Sequence, residues 1–185
     1  MNPATRLEQL LLERSVQRGD FTLSSGLRSS YYIDCRPTTM SAEGLTLIGE
    51  AGLDAIRQAG WHPDAIGGLT MGADPVAYAI AAASWRRQPA IDAFSVRKDS
   101  KEHGTRRRIE GNFRSGQQVV VVEDVITTGG SALQAIEAVE EAGAVVIGVL
   151  AVVDREQGGR EQIEKRIRQV VALTTTTRLG LSGPN

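Results

Sequence analysis

Residues Val119 to Ser131 read VVVVEDVITTGGS. Four β-branched residues in a row make a strand that is apolar on both faces, which suits the centre of a parallel sheet. The run is expected to stop at Glu123 and Asp124, so that charge appears where the strand ends. Thr127, Thr128, Gly129, Gly130 and Ser131 form a small-residue turn. Ala132, Leu133, Ala135, Ile136, Val139 and Ala142 then repeat at helical spacing up to Gly143, a C-cap. Strand, acidic pair, hydroxyl and glycine turn, helix: this order outlines a phosphate site.

The physical basis is general. A helix N-terminus offers unpaired N–H groups and about half a positive charge, which attract a phosphate. Glycines let the backbone come close, and Thr and Ser hydroxyls add donors. Glu123 and Asp124 repel a phosphate, so they are expected to face sugar hydroxyls or a magnesium ion. A phosphorylated sugar satisfies both halves. The plainer reading of the same residues is a pair of solvated strand-end acids beside an ordinary turn.

Working outward, Thr5 and Glu8 form a capping box, and Leu7, Leu10, Leu11 and Val16 give an apolar helix face that ends by Gly19. Phe21 to Asp34, FTLSSGLRSSYYID, reads as two short strands around a turn. Ser41 to Ala59 is an amphipathic helix with Leu45, Ile48, Leu53 and Ile56 on one face, and its glycines at 44, 49 and 52 imply close packing against a neighbour. Asp64 to Leu69 is a core strand that feeds Thr70, Met71, Gly72, Ala73, Asp74 and Pro75, a second place where backbone amides meet an anion. This loop lacks the P-loop spacing, which argues against an ATPase or GTPase.

A helix from Val76 to about Trp85 and a strand from Ala90 to Val96 lead into RKDSKEHGTRRR, Arg97 to Arg108. A cationic contact to pyrophosphate at ~4 Å is worth about 4 kcal/mol at an effective dielectric of ~20, before desolvation. Arg97, Lys98, Lys101 and His103 therefore suit a clamp on a polyanion, although such a run is also what a solvated loop or a nucleic-acid patch looks like. The neighbouring strands lack the aromatic interleaving of a nucleic-acid platform. Ala144 to Val153 is another buried strand, ending in Asp154 and Arg155. That arginine is placed either to hold a ligand carboxylate or to pair locally with Asp154 or Glu156. Ile163 and Ile167 belong to a short helix, Val170 to Leu173 to a last strand, and the Thr-rich tail to Asn185 is expected to be loosely ordered.

The chain has 185 residues and a formal net charge of −1, so it carries no global field that argues for nucleic acid or membrane. Its one cysteine, Cys35, excludes an internal disulfide and reads as a small half-buried residue. Glu8 and Glu13 interrupt the N-terminal apolar pattern, unlike a secretory signal. The longest apolar run falls short of the ~20 residues that cross a bilayer. These features give the expectation of a soluble cytoplasmic protein. Alternating strands and helices imply an α/β fold, a single domain over 1–185 with a central parallel sheet of about five strands, ligands lying at the strands' carboxyl ends.

VVVVEDVITTGGS resembles the phosphoribosyl-pyrophosphate signature of type I phosphoribosyltransferases. With FTLSSGLRSSYYID, GGLTMGADP, RKDSKEHG and VVDREQGG in the same order, the chain resembles the orotate phosphoribosyltransferase family along nearly its whole length. The resemblance implies that about 1–40 contributes a hood over the base and about 97–110 a flexible catalytic loop. Ser25, Gly26, Tyr31 and Tyr32 become candidate walls of the base pocket, core packing being the alternative for the aromatics. Orotate would be held by Thr127, Arg155, Tyr31 and Tyr32. Phosphoribosyl pyrophosphate would be held by Arg97, Lys98, Lys101, His103, Glu123, Asp124, Val125, Ile126, Thr127, Thr128, Gly129, Gly130 and Ser131, with Lys101, His103 and Asp124 catalytic. Magnesium would ride on the substrate, with Glu123 and Asp124 as further ligands.

The resemblance also implies transfer of the phosphoribosyl group to orotate in pyrimidine biosynthesis, and a homodimer whose loop closes over the neighbouring subunit's site. The chain departs from the family at Ser24 and Met71, where relatives often carry lysine, so the Thr70–Pro75 loop is assigned backbone contacts only. Arg106, Arg107 and Arg108 have no clear family role and read as solvated charge. Two rivals stand beside this reading: a phosphoribosyltransferase for another base, and a regulator that binds phosphoribosyl pyrophosphate without turnover.

Overall fold

The computed structural model describes residues 3–22, 28–98 and 108–181. Its centre is the valine run: β6 spans Gln118–Ile126, and Val119, Val120, Val121 and Val122 are fully buried. Their alternation serves two cores. Val120 and Val122 belong to one apolar cluster and Val119 and Val121 to another, as expected of a strand covered by helices on both faces.

The remaining sheet strands are β3 (Ala65–Leu69), β4 (Asp92–Val96), β5 (Ile109–Gly111), β7 (Val145–Asp154) and β8 (Val170–Thr175), in the order β5-β4-β3-β6-β7-β8. Five of the six run parallel, as anticipated, and β5 is an antiparallel edge strand on β4, pairing Val96 with Ile109 and Phe94 with Gly111. Three residues carry too little pattern to announce a strand, and β5 exists because it zips onto β4.

Helix α1 covers Pro3–Arg14, α3 Ala42–Gln58 and α4 Ala73–Arg87; side chains from all three build the cluster that includes Ile66, Val120 and Leu150. Helices α5 (Gly130–Glu141) and α6 (Gly159–Glu164) contribute to the cluster of Phe94, Val121 and Val149. Ser41 caps α3, its hydroxyl accepting from the Gly44 amide at 3.0 Å. The expected close contact of that helix is real: a Cβ at Gly49 would lie 2.6 Å from the Ala79 carbonyl oxygen of α4.

The N-terminal region is a two-stranded antiparallel ribbon, β1 (Val16–Thr22) and β2 (Arg28–Ile33), followed by a one-turn helix α2 (Arg36–Thr39). Several expectations are corrected here. Val16 does not extend the first helix face; it opens β1 opposite Ile33, because α1 ends at Arg14. Thr5 lies inside α1 rather than capping it, and the Glu8 carboxylate instead accepts from Thr174 Oγ1 at 2.9 Å and pairs with Arg178 at 2.6 Å. Helix α4 starts at Ala73, so Pro75 sits within its first turn, where its missing N–H costs no helical bond.

The Thr-rich tail is not loose as far as residue 181: Thr174 and Thr176 are buried, and Leu179 and Leu181 join the core beside α1 and α3. Threonine is β-branched and continues β8. The two leucines then gain more by burial than the tail loses in freedom. No described helix is long and apolar enough to cross a membrane.

Candidate functional site

Among the described residues, the turn after β6, the segment before α4 and the residues after β7 meet at the carboxyl end of β6, each put there by its own strand or turn. Strand β6 runs on to Ile126, so Glu123 and Asp124 lie inside it rather than beyond its end, a correction to the reading of the acidic pair as a terminus. The reason is pairing: Glu123 stands opposite Ala151, and Val125 opposite Val153, so β7 carries the ladder past the charges. Glu123 is only 6% exposed, and Asp124 is half-buried.

Burial and the neighbouring Asp124 hold the Glu123 carboxyl well above its usual range, with Lys98 acting weakly in the opposite direction. Burial also raises Asp124, opposed by a hydrogen bond from Glu123. The strand therefore carries two consecutive carboxyl groups, one buried and one half-buried, that burial makes harder to ionise than surface acids. Such a pair can hydrogen-bond a sugar's hydroxyls. Glu123 is buried and Asp124 half-buried, so they are not the solvated strand-end acids of the plainer reading.

Asp124 reaches toward α4. A Cβ on Gly72, the residue that starts that helix, would lie 2.6 Å from Asp124 Oδ1, so the bare glycine makes room for the carboxylate. The Thr70–Pro75 segment thus adjoins Asp124, whose carboxylate occupies the space beside Gly72. Its Met71 is 60% exposed, and Asp74 accepts from Ser95 Oγ at 2.7 Å, which ties the start of α4 to β4.

The TTGGS turn is open at the start of α5. Gly129 is the N-cap with φ +81° and makes no side-chain capping bond. The turn is held from behind by α6: a Cβ at Gly129 would strike the Gly159 carbonyl oxygen at 2.7 Å. Both its dihedral and that contact demand glycine. Val125 and Ile126 pack their side chains in the core, so any substrate contact from them runs through the backbone.

Arg155 is the most informative side chain. It is 6% exposed, its Cζ lies 5.5 Å from the Tyr31 ring centroid, and its Nε and Nη2 have no hydrogen-bond partner among the described residues. The local pairing left open by the sequence does not occur: Asp154 Oδ1 accepts from the Glu156 amide, and Glu156 Oε2 from Thr176 and Thr177. A buried guanidinium with free donors costs stability unless a ligand completes it. Its planar fork fits a carboxylate. The Arg155 amide donates to the Ile126 carbonyl at 3.0 Å, so the backbone of Arg155 adjoins the start of the TTGGS turn.

The hood residues divide. Strand alternation turns Tyr31 inward to Arg155, whereas Tyr32 is 40% exposed and packs on Phe21 at 5.8 Å between ring centroids. Lys98 is close enough to bias the acidic pair; Arg97 is held by Glu110 at 3.1 Å. Lys101 and His103, with Ser24, Ser25 and Gly26, lie outside the described residues. Sequence reasoning overlooked Asp34 and Arg36, a bidentate pair at 2.8 Å whose charges both reach Asp124. The only hint was their position directly after the tyrosines.

Among the described residues no group of three or more His, Cys, Asp or Glu is arranged to hold a metal. Glu123 and Asp124 offer hard carboxylate oxygens of the kind that Mg²⁺ prefers.

Residues 42–176 match the family model described as phosphoribosyl transferase domain. The chain is 51% identical over 163 residues to orotate phosphoribosyltransferase of Aquifex aeolicus (strain VF5), covering 86% of this chain and 88% of that one. It is 43% identical over 176 residues to orotate phosphoribosyltransferase of Rhodopirellula baltica (strain DSM 10527 / NCIMB 13988 / SH1), covering 93% and 91%. The crystal structure of Mycobacterium tuberculosis H37Rv orotate phosphoribosyltransferase in complex with 5-phospho-α-D-ribosyl 1-diphosphate superimposes with a TM-score of 0.82 at 41% identity, over 97% of this chain and 100% of that one.

Proposed function

Since the chain belongs to the orotate phosphoribosyltransferase family, we propose that it transfers the 5-phosphoribosyl group from phosphoribosyl pyrophosphate to orotate, releasing pyrophosphate and forming orotidine 5′-monophosphate for pyrimidine biosynthesis. The observation that carries this is Arg155, a buried guanidinium with free donors beside an open helix start: one site for a base carboxylate and one for a sugar phosphate, side by side. A base without a carboxylate leaves those donors unpaired. Mixing protein, Mg²⁺ and phosphoribosyl pyrophosphate with orotate, uracil or hypoxanthine tests this, and orotate alone should be consumed.

The Thr127–Ser131 turn and the first amides of α5 receive the 5′-phosphate, and Glu123 and Asp124 take the ribose hydroxyls. Arg155 grips the orotate carboxylate under Tyr31, with Thr127 beside it. Displacement at the anomeric carbon develops oxocarbenium character while negative charge grows on the departing pyrophosphate. Catalysis is then positioning plus electrostatics. Lys98, Lys101, His103 and Arg97 supply cations for the leaving group. Asp124 and Glu123 would be the protein oxygens available to a substrate-borne Mg²⁺, which would supply further positive charge for the leaving group. Lys101→Ala should lower kcat by at least about tenfold with the melting temperature unchanged; unaltered turnover would remove the clamp from this reading.

The same reading makes the protein a cytoplasmic homodimer with shared sites. Support comes from Met71, Tyr78 and Trp85, three large apolar side chains exposed by 60%, 52% and 73% along α4 and the loop before it. Sedimentation of the protein should give a two-chain species, and Trp85→Glu should shift it toward one chain.

A further inference from the structure

We infer that Glu156 is a positioning residue for the base site: its carboxylate anchors the loop after β7 to Thr176 and Thr177, and so aims the Arg155 guanidinium at the base. The inference rests on Arg155 being the orotate contact, as read above.

Glu156 holds φ +55°, the left-handed region that a non-glycine residue occupies rarely. It is kept there from three directions. Its amide donates to Asp154 Oδ1 at 2.8 Å, and its Oε2 accepts from the Thr177 amide at 2.7 Å and from Thr176 Oγ1 at 2.8 Å. The single Thr176 hydroxyl proton is shared between the Glu156 carboxylate and the Arg155 carbonyl at 3.1 Å, and the Thr176 amide donates to the Asp154 carbonyl at 3.0 Å. With the Arg155 amide bound to Ile126, the backbone of Arg155 is gripped on both sides.

Its side chain is held by much less. Beyond the face of Tyr31, Nε and Nη2 meet no acceptor among the described residues. A fork with a free tip takes its direction from its base, and that base is the Asp154–Glu156 turn. The carboxylate that fixes the turn contributes nothing to the core, because Glu156 is exposed. Desolvation pushes its carboxyl up, but the hydrogen bonds from Thr177, Thr176 and Thr175 outweigh that and leave it below the usual range. An exposed carboxylate in a strained turn thus joins the loop after β7 to the residues after β8 and fixes the backbone from which Arg155 projects. The clustered threonines after β8, left without a role by the motif reading, are its partners.

Steady-state kinetics with each substrate varied separately test this on Glu156→Gly, Glu156→Gln, Thr176→Val, Arg155→Ala and the Arg155→Ala/Glu156→Gly pair. Glu156→Gly keeps the dihedral and removes the anchor, and should raise the orotate KM by about fivefold or more while the phosphoribosyl pyrophosphate KM stays within about twofold. Glu156→Gln keeps an accepting oxygen and should stay close to the parent. Thr176→Val removes the hydroxyl from the other side of the contact and should give the same orotate-selective rise.

On the Arg155→Ala background, Glu156→Gly should add less than about a factor of two, because the anchored group is gone. An unchanged orotate KM in both Glu156→Gly and Thr176→Val would overturn the inference, as would equal rises for both substrates or effects that multiply on the Arg155→Ala background. If Arg155→Ala itself leaves the orotate KM untouched, the base-site reading falls and takes this one with it. If Arg155→Ala raises it and Glu156→Gly does not, only the role of Glu156 falls.

Discussion

Arg155→Ala should lower kcat/KM for orotate by about 30-fold at least, while the free protein melts no lower than its parent. Truncating one partner of a desolvated charge pair costs roughly 2–5 kcal/mol, and each 1.4 kcal/mol is about a factor of ten. That loss appears only when the ligand is bound, because the guanidinium is unpaired without it. In the free protein the deletion removes two buried, unsatisfied donors, which offsets the lost packing on Tyr31. Arg155→Lys keeps the charge but not the planar fork, so it should recover little of the activity. Kinetics and thermal melting on the same three proteins check this. Full activity in the lysine variant would mean that a diffuse positive charge is all the site needs.

Glu123→Gln should make the protein more stable at pH 8 by about 1 kcal/mol or more, yet cut catalytic efficiency by about tenfold or more. In the folded chain burial and Asp124 keep the proton on Glu123 well above the ordinary range; in the unfolded chain the same carboxyl ionises normally. Between those two values the folded state binds more protons, so stability falls as pH rises. The contribution is complete below the unfolded value and lost as pH climbs through the folded one. Glutamine is about the same size and has no proton to lose. The advantage should therefore vanish near pH 4, and equal melting temperatures of parent and variant at both pH values would contradict the buried, protonated Glu123. Asp124, also raised by burial, limits how much of the gain is seen.

Much of the architecture was readable because it rests on period. Val119 to Val122 announced a strand buried on both sides, and the helical spacing after Ser131 announced α5. The ladder partner was not readable: nothing local to Glu123 and Asp124 says that β7 pairs past them, so charge was mistaken for an end. The same blindness to partners hid β5, which has no life apart from β4, and the capture of Leu179 and Leu181 by the core.

At the site, hydroxyls and glycines marked the turn that opens α5 by chemistry alone. Choosing Tyr31 over Tyr32 required knowing which face of β2 looks at Arg155. The isolation of Arg155 could be learned only in three dimensions, since sequence offered Asp154 and Glu156 as equally good neighbours and the fold gives both of them other duties.

The short antiparallel strand has an evolutionary corollary. At the foot of the basic segment, the Arg97 amide donates to the Arg108 carbonyl at 2.8 Å, and Val96 pairs with Ile109, so departing and returning chain are stitched together there. Closure entropy is already settled at that seam, and doubling the intervening length adds only about 0.6 kcal/mol. Insertions and deletions between those two arginines are consequently cheap for the scaffold, which lets that segment change its length among descendants while the sheet stays as it is.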